Sequence, residues 1–211
     1  TQNQAFSALK FLYGKVFGRE LGFVNSLRAK ESIYLPVVLT KTEISDLLKR
    51  MPWDFKRTMF LIMYGSGLRH RECRTLRVKD VCFETRQITV RNGKGEKDRV
   101  TVLPDLVVDT LQRQIKSVRM LHEFDLSEGF GDVYLPYALA RKYPKADRDF
   151  RWQYIFPSRQ RSKDPRSGVI RRHHVYESTF GKAFKRGLRL TNITKLAVPH
   201  SLRHRFATHL L

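Results

Sequence analysis

The sequence predicts an α+β protein that is mainly α-helical and carries one small three-stranded antiparallel sheet. Apolar residues recur at spacings of three and four along most of the chain, which is the helix period. Alternating β-branched runs are confined to Val81–Phe83, Gln87–Arg91 and Arg99–Leu103, and Asn92-Gly93 between the last two is a hairpin signal. With 211 residues, 41% of them hydrophobic, the chain can build one core of ordinary domain size, which argues against global disorder.

Taken in order, Thr1–Gly22 reads as a helix on Phe6, Leu9, Leu12 and Val16, and the polar stretch Asn25–Ser32 follows it. Thr40 and Glu43 form a capping-box pattern ahead of Ile44, Leu47, Leu48 and Met51, so a domain is expected to start near Leu35. Met59–Tyr64 reads as a buried helix interrupted by Gly65-Ser66-Gly67, and Leu68–Leu76 as another turn or two. Pro104 ends the sheet and opens a long helix to about Phe124, with Leu106, Val107, Leu111, Ile115, Val118 and Leu121 on its inner side. Tyr137–Tyr143 suits a short helix and Val175–Leu190 a longer one, while Trp152–Phe156 reads as a buried strand-like segment. Pro199 starts the last helix, with Leu202, Phe206 and Leu210 as its inward stripe.

The formal charge is +21, and residues 141–211 supply +14 of it from 18 Lys and Arg against 4 Asp and Glu. So basic a chain selects a partner of dense negative charge, nucleic acid ahead of an anionic membrane surface. No apolar run is long enough to cross a bilayer, and the first residues lack the pattern of an export signal. Two cysteines, Cys73 and Cys82, are too few for a disulfide framework or a zinc ribbon, which fits a reducing compartment.

Three stretches carry chemistry. Pro199-His-Ser-Leu-Arg203 sets His200 and Arg203 one turn apart beside a helix N-terminus, where an imidazole, a guanidinium and backbone N–H groups suit a phosphate. By itself His200 reads as a surface or core histidine, and His200 with His204 lacks the glutamate and third ligand of a zinc site. Gly65-Ser-Gly-Leu-Arg69 places Arg69 after a glycine turn with Glu72 one turn on, an intrahelical ion pair in its simplest form. Gly93-Lys-Gly-Glu-Lys-Asp-Arg99 sets Lys94 at a hairpin tip without P-loop spacing. Alone, Lys94 is a solvated turn lysine.

Together and in this order, the three motifs resemble the catalytic domain of tyrosine recombinases over roughly Leu35–Leu211. The resemblance implies that Arg69, His200 and Arg203 hold a scissile DNA phosphate, and that Lys94 donates a proton to the leaving 5′ oxygen. Fixed cations stabilise the charge that a pentacovalent transition state concentrates on its equatorial oxygens, so no metal or other cofactor is needed. Leu135-Pro-x-Ala-Leu-x-Arg-Lys-Tyr-Pro144, Phe150-Arg-Trp152, Asp164-Pro-Arg-Ser-Gly-Val169 and Arg171-Arg-His-His174 resemble the insertion, here about 126–170, that distinguishes integron integrases. Those enzymes act on folded single-stranded DNA hairpins with protruding bases, and the resemblance assigns Trp152, Pro165, His173 and His174 to such bases. Stacking on an aromatic plane contributes about 1–3 kcal/mol per base. Tyr154 and Phe156 are expected in the core instead.

The resemblance also implies that residues 1–34 are a remnant of an N-terminal DNA-clamping domain and its linker, that family members form tetramers on DNA, and that the setting is the bacterial cytoplasm. The family's nucleophilic tyrosine follows the His-x-x-Arg helix, whereas the eighth and last tyrosine here is Tyr176. The expectation is a fragment, possible as a monomer, that binds DNA without cutting it. Arg205 stands where a small serine is common, and His70-Arg71 adds charge after Arg69. Two other readings stay open: a phage-type integrase acting on duplex DNA, and a non-catalytic DNA-binding module.

Overall fold

The computed structural model describes residues 2–20, 22, 37–91 and 97–203, and divides the chain into compact units Thr1–Leu35 and Pro36–Leu211. The first unit contains α1 (Gln2–Phe11), continued by a π-helical turn over Leu12–Val16. Gly18 then takes a positive φ of 61°. None of the residues of α1 or the π turn is buried within the unit.

The second unit starts with α2 (Lys41–Arg50), capped as its sequence dictates: the Thr40 side chain accepts from the Glu43 N–H, and the Glu43 carboxylate accepts from the Thr40 N–H. Ile44, Leu47 and Leu48 are its buried face. Asp54 caps α3 (Phe55–Ser66), whose Met59, Phe60, Ile62 and Met63 have no exposed surface. That helix is the centre of the core. It stops at Gly67, whose left-handed φ of 62° suits glycine and turns the chain into α4 (His70–Arg74).

The sheet is small and antiparallel, in the order β1 (Val81–Cys82), β2 (Gln87–Val90), β3 (Arg99–Val102). Its register pairs Val81 with Ile88 and Val90 with Arg99, so Ile88 and Val90 enter the core. The Thr101 hydroxyl donates to the Ser66 carbonyl at 2.9 Å and fastens β3 to the end of α3. After Pro104, one 3-10 turn leads to α5 (Val108–Ser127). Leu106 sits on that turn, 75% exposed, rather than on the inner face that helical periodicity assigned to it. The tighter turn rotates it away from the stripe formed by Val107, Leu111 and Val118. A Cβ on Gly65 would overlap the Pro104 ring, so this glycine is what lets the start of that turn lie against α3.

The region after α5 holds α6 (Tyr137–Lys142) and a two-stranded hairpin, β4 (Ser162–Lys163) with β5 (Ile170–Arg171). Trp152 ends a 3-10 turn over Phe150–Trp152 that the Asp149 side chain caps, so the strand-like reading of Trp152–Phe156 fails at its start; residues 153–156 are buried, with Tyr154 bridged to Arg77. They thread between two distant segments: Ile155 N–H donates to Leu76, Val78 N–H to Gln153, and Val175 N–H to Phe156. The last segment leads into α7 (Glu177–Arg189), which packs Phe180 and Phe184 on Phe60 at ring separations of 4.2 and 5.5 Å. Gly187 lets α7 approach α2, since a Cβ there would meet Leu47 at 2.9 Å. Residues 199–203 form α8 as described, with Leu202 fully buried. Phe206 and Leu210 lie outside the described residues.

Phe184→Ala removes a fully buried ring at the junction of α3 and α7 and should lower unfolding stability by about 3–5 kcal/mol in urea titration.

Candidate active site and nucleic-acid interface

Glu72 is the centre of the site, and its position follows from local sequence. The chain leaves Gly67 extended and enters α4 at Arg69, which makes Glu72 the third residue of that helix. Its carboxylate folds back to accept the Arg69 N–H at 2.7 Å and the Arg69 Nη1 at 2.7 Å. From β3, Arg99 adds a two-point bond, Nη1 at 2.9 Å and Nη2 at 2.6 Å. From α8, Arg203 brings Nη1 to 3.9 Å. The carboxylate is only 8% exposed, while the three guanidinium side chains are 27–34% exposed around it.

Burial pushes the Glu72 carboxyl up, but the Arg99 hydrogen bond, the Arg69 N–H and the Arg69 side chain outweigh it and hold the group down to about 2. Glu72 is therefore ionised at any physiological pH and is a fixed bracket, not a proton carrier. Burial, then the nearby Arg69 charge, lower the Arg203 pKa from its ordinary value without discharging it. Three guanidiniums against one carboxylate leave a local charge of about +2. Arg203 Nη1 is buried and makes no hydrogen bond among the described residues. A buried, charged donor without a partner is costly unless a ligand meets it.

Of the four site residues expected from sequence, the structure thus brings Arg69 and Arg203 together. His200 lies one turn before Arg203 on α8, as an exposed residue. Lys94 belongs to residues 92–96, outside the described residues, as do His204 and Arg205. Arg99 closes the glycine-lysine motif, and the motif alone assigns it no role at the site; its spacing from the hairpin tip is the signal the sequence offers. His70 does not add the charge its position suggested. Its ring lies 4.4 Å from Phe180, and burial, reinforced by Arg74, pushes its pKa down to about 4, so it is neutral at pH 7.

A second group of residues lies around Trp152. Arg77, largely enclosed, donates to the carbonyls of Trp152 at 2.5 Å and Tyr134 at 2.7 Å, and lies 4.5 Å over the Tyr154 ring. Tyr154 meets His174 edge-on at 5.3 Å. Through Arg77 and Tyr154 the structure therefore links Trp152 to His174, two of the four expected base contacts. Burial lowers the His174 pKa, and its Nδ1 lies 3.0 Å from the Val175 carbonyl oxygen. His173 is half-buried, and its carbonyl accepts from Ser158 N–H. Pro165 is exposed on the β4–β5 turn. Trp152 itself, half-buried, walls an open cleft of about 590 Å³ with Lys79, Tyr143, Lys145 and Arg151. The Lys79 ammonium stands 3.0 Å from the centre of its ring. Arg77 and Lys79 carried no sequence signal, because a bond from a side chain to a remote carbonyl leaves no spacing pattern.

Among the described residues there is no cluster of His, Cys, Asp or Glu able to hold a metal ion, and no helix long and apolar enough to cross a membrane. Cys73 is buried and Cys82 exposed, both as free thiols.

A family model described as phage integrase family matches residues 38–211. An integrase/recombinase of Escherichia coli is 44% identical over 212 aligned positions, covering 100% of this chain and 63% of that protein. A tyrosine recombinase of Thermosipho africanus strain TCF52B is 28% identical, covering 99% of this chain and 59% of its own length. Among solved structures, the Tn1549 transposon integrase in complex with transposon right end DNA is similar with a TM-score of 0.58 at 20% identity, over 99% of this chain and 65% of that one. That last likeness is one of fold. The chain spans less than two thirds of the length of each of these proteins.

Because Glu72 is held down to about 2 in the folded chain against 4.5 in an ordinary glutamate, its contribution to stability is complete above about pH 4.5 and is lost as pH falls through about 2. Urea unfolding between pH 5 and pH 2 should show a fall of about 3 kcal/mol from this group, missing in Glu72→Gln. Equal slopes in the two proteins would remove Glu72 from the ion-pair cluster.

Proposed function

The chain belongs to the phage integrase family, and on that premise we propose that residues 35–211 are the catalytic domain of a site-specific DNA recombinase of integron integrase type. Residues 1–34 are then the remnant of a preceding DNA-clamping domain with its linker, and the protein works on DNA in the bacterial cytoplasm. The observation that carries the reading is the meeting of Arg69 and Arg203 on Glu72, with a buried Arg203 donor left over. A phosphodiester carries one negative charge and gains more on its equatorial oxygens during transfer, so a rigid site of charge about +2 stabilises the transition state beyond the ground state.

In this reading Arg69, His200 and Arg203 grip the scissile phosphate and Lys94 protonates the leaving 5′ oxygen. The pocket needs neither a metal nor another cofactor. None of the tyrosines in residues 1–211 follows His200. In this reading residues 1–211 by themselves bind DNA, as a monomer, and leave its strands intact. The integron assignment draws support from the Trp152 cleft, whose aromatic wall and lysine rim suit an unstacked base and its phosphate. Trp152, Pro165, His173 and His174 would hold the protruding bases of a folded hairpin.

One observation favours a second reading, an integrase acting on matched duplex. The Lys79 ammonium already covers one face of the Trp152 ring. If it stays there when DNA binds, that face is closed to a base and Lys79 serves as a backbone contact instead.

Fluorescence anisotropy with a hairpin bearing protruding bases and with a matched duplex separates the two. Trp152→Ala should weaken hairpin binding by about 1–3 kcal/mol and duplex binding by far less. An equal loss on both DNAs would select the duplex reading. With either DNA, residues 1–211 should give no covalent protein–DNA adduct on a denaturing gel, and an adduct would show that a tyrosine upstream of α8 serves as nucleophile.

A further inference from the structure

Glu72 has two oxygens with about four acceptor positions between them, and two arginines fill all four. Oε1 takes Arg69 Nη1 and Arg99 Nη1, and Oε2 takes the Arg69 N–H and Arg99 Nη2. Arg203 Nη1 stands 3.9 Å from Oε2, outside hydrogen-bonding reach, and has no other partner among the described residues. Half of the carboxylate's capacity is thus used by Arg99. Without that arginine, two acceptor positions would open on a buried anion, and Arg203 would need to move by only about 1 Å to take them.

We propose that Arg99 is a positioning residue: its two-point bond saturates Glu72, keeps Arg203 from being captured by that carboxylate, and so leaves the Arg203 donors for a phosphate. The inference rests on the phosphate reading of the pocket given above. It assigns to β3 a task at the pocket separate from that of the hairpin tip. Arg99 also has the geometry for it and a lysine does not, because only a planar fork meets both carboxylate oxygens at once. The bond to Glu72 raises the Arg99 pKa further, so the fork is charged at every relevant pH.

The test uses residues 1–211 with inorganic phosphate as the probe, followed through the Nε–Hε NMR signals of Arg69 and Arg203. The wild type should show saturable shifts at both. Arg99→Gln should weaken phosphate binding read at Arg203 by about tenfold, the scale of one charge-assisted hydrogen bond lost. Arg99→Lys keeps the charge but not the fork and should still lose binding, by roughly threefold; it carries the test should the glutamine variant not fold. An Arg99→Lys protein indistinguishable from the wild type overturns the proposal, because charge alone would then suffice. A wild type without phosphate-dependent shifts at Arg69 and Arg203 overturns the phosphate reading itself, and this proposal with it.

Discussion

A carboxylate buried to 8% exposure is tolerable only when its lone pairs are filled, and Glu72 fills them from separate parts of the chain. Arg69 comes from the start of α4, Arg99 from β3, and Arg203 approaches from α8. The same bonds that satisfy the anion fix the angles at which Arg69 and Arg99 face outward, and Arg203 stands beside them. Stability and the candidate chemistry are therefore one arrangement: the energetic need of one buried charge gathers the arginine cluster proposed to take a phosphate. Satisfying Glu72 with neutral donors would have closed the same gap in the fold and left no excess positive charge.

The large basic excess of the sequence divides into two populations. Many arginines work inside the protein as staples. Arg77 holds the Trp152 and Tyr134 carbonyls, Arg172 holds Asp125 together with the Ser158 and Arg159 carbonyls, and Arg74 reaches Val175 and Glu177. These bonds join the irregular region after α5 to the helical core, which has little sheet or helix of its own to do so. Lysines such as Lys79 and Lys145 instead rim the open cleft beside Trp152. Net charge overstates the positive charge left at the surface, because the arginine staples are already spent on carbonyls and carboxylates.

One departure from the sequence reading is local, and the others come from neighbours distant in sequence. Periodicity put Leu106 on an inner face, but a 3-10 turn after Pro104 rotated it outward. His70 counted as added charge beside Arg69 until the ring of Phe180 buried it and made it neutral. Glu72 read as an ordinary ion pair with Arg69, which it is, yet its larger role depends on Arg99 and Arg203. Trp152 was singled out from motif resemblance, whereas Arg77, which fixes its backbone, and Lys79, which covers its ring, were invisible.

What the amino-acid order determined by itself is local: the Thr40 cap, the apolar stripe of α2, the Gly67 turn, the β2–β3 pairing and the placement of Arg69 before Glu72. Each depends on residues a few positions apart, where spacing fixes geometry. The convergence of Arg69, Arg99 and Arg203 on Glu72, and the link from Trp152 through Arg77 and Tyr154 to His174, were decided only by tertiary structure. Distances between side chains far apart in sequence follow from how helices and strands pack, and packing is set by the whole core rather than by any stretch of it.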